Sequence, residues 1–236
     1  MRRPVVTIDG PAGAGKSTVS RALAARLDFV YLDTGAIYRA VALAVADDAA
    51  LAARLDAAAG PDELRPGDRI ALGAIAASLP IEFEAAGTVV RLGGRDVSRE
   101  IRSPEIGQRA SKVSAVPEVR TALLGLQRRI GAAGGVVVEG RDVGTVVFPD
   151  AEVKFFLTAQ TPERARRRAA ELRARGVDAD EARVQEEIEA RDRRDSERAV
   201  APLACPPGAV VVDSSALSIE EVVSRLVDAV TMRERS

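Results

Sequence analysis

The sequence predicts an α/β fold: a parallel five-stranded sheet flanked by helices, with a small antiparallel insertion and an arginine-rich helical segment. Three observations predict it. Short apolar runs alternate with helical stretches along most of the 236 residues, as in strands joined by crossover helices. Gly10-Pro11-Ala12-Gly13-Ala14-Gly15-Lys16-Ser17-Thr18 fits G-x-x-x-x-G-K-[ST] and stands between a strand candidate and a helix candidate. Residues 79–92 alternate apolar and polar positions between glycine-containing turns, an antiparallel pattern.

Val5-Val6-Thr7-Ile8 is the first strand, and the helix after the glycine loop carries Val19, Leu23 and Leu27 at i, i+4 and i+8. Phe29-Val30-Tyr31-Leu32 is a second strand, ended by Asp33-Thr34-Gly35, and a helix over 36–46 follows. Residues 47–67 are rich in Ala and Asp, with Gly60-Pro61 and Pro66-Gly67 as breakers, and read as a helix flanked by loops. Residues 79–84 and 88–92 pair as an inserted cap, turned by Ala85-Ala86-Gly87 and bounded by Gly93-Gly94. Helices over 104–114 and 118–130 come next. Gly135-Val136-Val137-Val138-Glu139 is a continuous apolar run, as expected of a strand buried on both faces. Val153-Lys154-Phe155-Phe156-Leu157 and Ala209-Val210-Val211-Val212-Asp213 complete the sheet, and residues 219–230 form a closing helix. The expectation is one domain over 1–236. Its core is 1–60, 103–157 and 199–236, its insertion 61–102, and a lid spans 158–180.

The glycine loop gives a P-loop NTPase-type reading. Phosphate oxygens must come within hydrogen-bond distance of the backbone, and side chains would block that approach. The following helix turns free N–H groups and the positive end of its dipole toward the anion. Lys16 adds charge for the outer phosphates, and the Ser17 hydroxyl can ligate Mg²⁺. Residues Gly10, Pro11, Ala12, Gly13, Ala14, Gly15, Lys16, Ser17 and Thr18 are therefore the expected nucleoside triphosphate site. Ligands of parallel sheets bind outside the carboxyl ends of the strands. Gly10, Asp33, Arg141 and Asp142 all lie at such ends.

Composition narrows the chemistry. The chain has no His, so any general base is a carboxylate, and a Ser-His triad or a His-ligated metal is excluded. A net charge of −1 gives no reason to expect nonspecific nucleic-acid binding. The single Cys205 has no partner in the chain, in keeping with a reducing compartment. No signal-peptide core and no membrane-length apolar run is present, and a soluble cytoplasmic protein is expected. Only Lys16, Lys112 and Lys154 are lysines among 34 basic residues, and one of them holds the phosphate-loop position.

Six arginines (164, 166, 167, 168, 173 and 175) crowd residues 163–175 against Glu163 and Glu171. That excess is not neutralised at i,i+4 spacing. With Pro162 and Gly176 as hinges, the segment reads as a mobile cationic lid that excludes water. A second cluster runs Arg191-Asp192-Arg193-Arg194-Asp195-Ser196-Glu197-Arg198. Helical spacing puts Arg191, Asp195 and Arg198 on one face, suited to gripping a ribose and a phosphate.

The stretches Asp33-Thr34-Gly35-Ala36-Ile37-Tyr38-Arg39, Gly140-Arg141-Asp142-Val143-Gly144-Thr145-Val146-Val147-Phe148-Pro149-Asp150-Ala151 and Arg198-Ala199-Val200-Ala201-Pro202-Leu203 resemble the bacterial cytidylate kinases. Asp96-Val97-Ser98-Arg99-Glu100-Ile101-Arg102, after the antiparallel insertion, resembles the enlarged nucleoside-monophosphate region of that family. The resemblance runs from the phosphate loop to the closing helix. It implies transfer of the γ-phosphoryl of ATP to CMP or dCMP, with Mg²⁺ on Ser17 and Asp33 as an indirect ligand. Thr34, Tyr38, Arg39, Arg141 and Arg198 would hold the acceptor phosphate. Ser111, Arg120 and Asp142 would read cytosine, and Arg191 and Asp195 the sugar. Lys16, Arg141 and the lid arginines Arg164 and Arg168 would act in catalysis. The family also implies a monomer, and from charge and composition no nucleic-acid or membrane partner is expected. Another small-molecule P-loop kinase, acting on UMP, shikimate or a coenzyme precursor, stays open on the residues alone. A GTPase-type switch needs N-K-x-D, which the sequence lacks.

Overall fold

A computed structural model describes residues 3–84, 87–174 and 176–234. Met1, Arg2, Ala85 and Ala86 of the expected turn, Arg175 of the arginine run and residues 235–236 lie outside those. The chain falls into two compact units, Met1–Val30 with Ala133–Ser236, and Tyr31–Ala132.

In chain order, the strands are β1 Val5–Asp9, β2 Val30–Asp33, β3 Ile81–Glu84, β4 Val89–Leu92, β5 Arg95–Asp96, β6 Val136–Gly140, β7 Val153–Thr158 and β8 Val210–Asp213. The helices are α1 Lys16–Leu27, α2 Thr34–Val45, α3 Ala49–Ala57, α4 Pro66–Ser78, α5 Pro104–Val113, α6 Pro117–Gly131, α7 Thr161–Ala174, α8 Glu181–Glu197 and α9 Ile219–Glu234. The main sheet has the order β2-β6-β1-β7-β8, and β3-β4-β5 form a separate three-stranded sheet.

In the first unit β1 lies in the middle of the sheet, paired in parallel with β6 and β7. Its apolar run is buried on both faces: Val6 and Ile8, like Val137, Val138, Phe155 and Leu157, are closed to solvent. Gly10 follows β1 with φ 149°, and a Cβ there would stand 2.0 Å from the Leu157 carbonyl oxygen. Only glycine lets the loop leave the sheet so close to β7. After β6 the chain makes a π-helical turn, Val143–Val147, which the sequence reading does not foresee. A Cβ on Gly144 would meet Thr7 Oγ1 at 2.8 Å and Pro206 Cγ at 2.9 Å, so this turn is pressed against β1.

In the second unit α2 packs on α5, and α4 on α6. Helix α4 is a correction to the sequence reading, which took Pro66-Gly67 as a breaker. Pro66 is the first residue of the helix, where its missing N–H costs nothing and its fixed φ suits the turn. Helix α8 is also longer than the charged helix end expected over 191–198. Its buried apolar positions are Val184 and Ile188, too few to announce themselves as a periodic stripe. Among the described residues no helix is long and apolar enough to cross a membrane.

Candidate functional site

The glycine loop joins β1 to α1. Gly13 and Gly15 take φ 74° and 86°, and Gly15 stands at the N-cap of α1 without a side-chain acceptor. The first turn of α1 contains no acidic residue. Its N–H groups and dipole are thus left for an external anion. Lys16 is buried, and its Nζ donates to the Pro11 carbonyl at 2.7 Å. Burial first, and then the charge of Arg141, hold its ammonium well below the usual lysine range, with Glu139 pulling the other way. A cation that is already desolvated beside further positive charge is primed for an anionic ligand.

The Gly140-Arg141-Asp142 turn and α8 build a cluster beside this loop. Arg141 Nε donates to Asp195 Oδ2 at 3.0 Å. The same carboxylate lies 4.0 Å from both Arg191 Nε and Arg198 Nη1. Arg198 Nη2 donates to Asp142 Oδ1 at 3.1 Å, and its Nε donates to the Ala201 carbonyl at 2.6 Å. Burial would raise the Asp195 carboxyl, but Arg141, Arg191 and Arg198 outweigh it and hold the group below the usual range. Three guanidiniums thus surround two carboxylates, and the surplus charge is positive.

The arginine run on α7 is paired more fully than spacing suggested. Glu163 accepts from Arg166 and from Arg167 Nε, each at 2.8 Å, and Arg168 pairs with Glu171 at 2.7 Å. Arg164 is buried. Its Nε donates to the Ala159 carbonyl, its Nη2 to Thr161 Oγ1, and its Nη1 to the Ala12 carbonyl at 2.8 Å and to Asp192. The expected bare excess of charge is therefore corrected: Glu163 serves two arginines, one of them at i+3, and Asp192 of α8 takes Arg164.

Within Tyr31–Ala132, Asp33 caps α2 by accepting from Ala36 N–H at 3.0 Å, and its other oxygen accepts from Arg39 Nη2 at 2.6 Å. Burial pushes the Asp33 carboxyl up, but Arg39 and then Arg102 hold it below the ordinary range. Thr34, Tyr38 and Arg39 follow on α2, Ser111 is on α5 and Arg120 on α6. The Arg120 guanidinium lies 5.5 Å from the Tyr38 ring centroid, and its Nη1 donates to the Ser114 carbonyl at 3.1 Å. Ser111 Oγ is buried with no hydrogen-bond partner, an orphaned group of the kind a polar ligand satisfies.

Sequence reasoning missed two carboxylates. One is Asp192, which pairs with Arg164. Asp9, fully buried, accepts from Val143 N–H and Gly144 N–H, both at 2.7 Å, and so fixes the turn that follows Arg141 and Asp142. The only signal was an acidic residue closing an apolar strand. Burial raises the Asp9 carboxyl to about 6, helped by Asp142 and resisted by the two amides and Lys16. The folded protein then binds a proton that the unfolded chain releases near pH 4. Stability contributed by this group is complete below about pH 4 and is lost as pH rises through 6, by roughly 3 kcal/mol at most. Urea unfolding from pH 4 to 7 should show this term, and Asp9→Asn should remove it from the difference curve. An identical pH dependence in both proteins would refute it.

The cytidylate kinase family model matches residues 6–232. The chain belongs to the cytidylate kinase family. A cytidylate kinase of Syntrophotalea carbinolica is 48% identical over 99% of this chain and 94% of its own length. One of Methylococcus capsulatus is 49% identical over 93% of each chain. A bifunctional pantoate ligase/cytidylate kinase of Prochlorococcus marinus is 48% identical over 96% of this chain and 44% of its own length. In this cytidylate kinase family member, then, the glycine loop, Arg141, Asp142, Arg191, Asp195 and Arg198 belong to the unit of Met1–Val30 and Ala133–Ser236. Thr34, Tyr38, Arg39, Ser111 and Arg120 belong to the other.

Proposed function

We propose that this chain transfers the γ-phosphoryl group of ATP to CMP or dCMP. One observation carries the reading furthest: Asp9 and Gly140 are paired at the ends of neighbouring strands, so the phosphate loop and Arg141 leave the sheet side by side, and Arg141 is bound to the α8 carboxylate that also faces Arg191 and Arg198. An acceptor phosphate held by those guanidiniums would bring its charge toward the residue that grips the donor. That acceptor is already an anion near neutral pH, so no strong base is required, in keeping with a chain without His. Catalysis is then positioning and charge neutralisation.

In this reading Gly10 to Thr18 bind ATP. Thr34, Tyr38, Arg39, Arg141 and Arg198 hold the acceptor phosphate, and Arg191 and Asp195 hold the sugar. Ser111, Arg120 and Asp142 read the base, with Asp142 accepting from the exocyclic amine that distinguishes cytosine from uracil. Residues 158–180 act as the lid, with Arg168 meeting the phosphoryl group. Arg164, whose guanidinium holds Ala12, acts in this conformation through the shape of the loop. The segment 61–102 is the acceptor-nucleotide insertion.

Mg²⁺ fits the donor set. Ser17 offers a half-exposed hydroxyl at the start of α1. No group of three potential protein ligands is found among the described residues, so the ion would take its remaining ligands from phosphates and water, as Mg²⁺ commonly does. Asp33 has both oxygens engaged, by Ala36 N–H and Arg39, and would act only through water. When bound, the ion supplies charge neutralisation on the phosphates. We further propose a cytoplasmic monomer with no nucleic-acid or membrane partner.

A coupled assay of ADP release with CMP, dCMP, UMP, AMP and shikimate as acceptors tests the assignment. Turnover with CMP and dCMP at least about tenfold above the others in kcat/KM is expected. Turnover of AMP or shikimate but not of CMP would overturn it.

A further inference from the structure

Helix α8 meets the phosphate loop with one pair of side chains and the arginine cluster with another. On the loop side, Ala12 N–H donates to Asp192 Oδ1 at 2.8 Å. The other oxygen of Asp192 pairs with Arg164, whose Nη1 donates in turn to the Ala12 carbonyl. The peptide groups on both sides of Ala12 are thus held by one ion pair between α7 and α8. Ile188, one turn before Asp192, reaches the same loop: a Cβ on Gly13 would stand 3.3 Å from Ile188 Cδ1. The Ala12 side chain itself is buried in one apolar cluster with Ala165, Ala169, Val184 and Ile188. On the cluster side, Arg191 and Asp195, also one turn apart, flank Asp192 in sequence, and Asp195 holds Arg141.

These contacts tie α8 to the phosphate loop through Asp192 and to the arginine cluster through Asp195. Close-packed elements of this kind transmit small displacements instead of absorbing them. The Ala12 N–H is spent on Asp192, so Asp192 takes part in setting the loop's shape. Its two oxygens are taken by Ala12 N–H and by Arg164, so it acts here as a positioning residue.

We propose that Asp192 couples the two nucleotide sites through α8, so that filling either one tightens the other. This inference rests on the kinase reading above and adds to it a residue and a linkage.

The test is calorimetric titration of CMP into the full chain, with and without a saturating non-hydrolysable ATP analogue and Mg²⁺. Wild-type protein is expected to bind CMP about fivefold or more tightly when the analogue is present, and the reciprocal titration should give the same factor. In Asp192→Ala the factor should fall to near one, while CMP binding without the analogue stays within about twofold of wild type. A general loss of folding would weaken both measurements and leave their ratio unchanged. Should Asp192→Ala not fold, Asp192→Asn decides: it weakens the Arg164 arm and should at least halve the factor, and an unchanged factor overturns the proposal. Retention of the full factor in Asp192→Ala also overturns it. Independent binding of the two nucleotides to the wild type overturns the coupling and leaves the kinase reading standing. Binding of neither overturns the kinase reading, and the coupling with it.

Discussion

Lys16→Met is expected to lower kcat by about a hundredfold or more while the melting temperature holds or rises. Removal of one preorganised charge from the developing transition state typically costs two to three decades of rate. Stability should not follow, because Lys16 is a buried cation whose own environment disfavours its charge: burial and Arg141 both push it toward neutrality. Its Nζ donates to the Pro11 carbonyl, which lies in a loop that water can reach. Met keeps most of the volume and discards the desolvated ammonium. ADP release at saturating substrates, with a calorimetric melt of the same sample, checks both halves. An unaffected kcat would remove Lys16 from the chemistry.

Asp142→Ala is expected to weaken CMP by roughly 10- to 100-fold and to leave the affinity for an ATP analogue nearly unchanged. A buried amine left without its acceptor costs about 1–3 kcal/mol. In the proposed reading the carboxylate fills that role. It is buried, it accepts from Arg198 Nη2, and the neighbouring Val143 and Gly144 amides are tied to Asp9, so it cannot drift from the strand end. Asp142→Asn keeps an acceptor oxygen and should recover part of the loss. Equal weakening of both nucleotides would mean that Asp142 holds the cluster together without reading a base. Equilibrium titration of each ligand distinguishes the two.

Much of this molecule could be read before its coordinates. The sheet was legible because buried parallel strands are unbroken apolar runs, and 136–138 or 153–157 can hardly be anything else. The glycine loop between β1 and α1 was legible because glycine spacing and a lone lysine make a local pattern. What escaped was tertiary. The partner of Arg164 is Asp192, and that of Arg198 is Asp142; no spacing rule joins residues that distant. The arginine run looked uncompensated in part because Asp192 is distant in sequence, and in part because one glutamate, Glu163, serves two arginines at once. Helix α4 escaped because proline is a breaker inside a helix and a starter at its first position, and sequence alone did not say which. Asp9 and Asp192 escaped because a single carboxylate has no pattern, and each matters through the peptide groups it holds.

The pairing of the central strand bears on how the chain is made. Val5 stands opposite Val136 in β6, and Val6 opposite Val153 in β7. A ribosome therefore releases β1 long before either neighbour exists. The intervening residues of Tyr31–Ala132 are continuous in sequence and compact, and they can condense first during translation. The apolar β1 waits exposed until the later strands emerge, when a long loop must close at some entropic cost. The place of one five-residue strand thus makes non-local pairing a late event in folding.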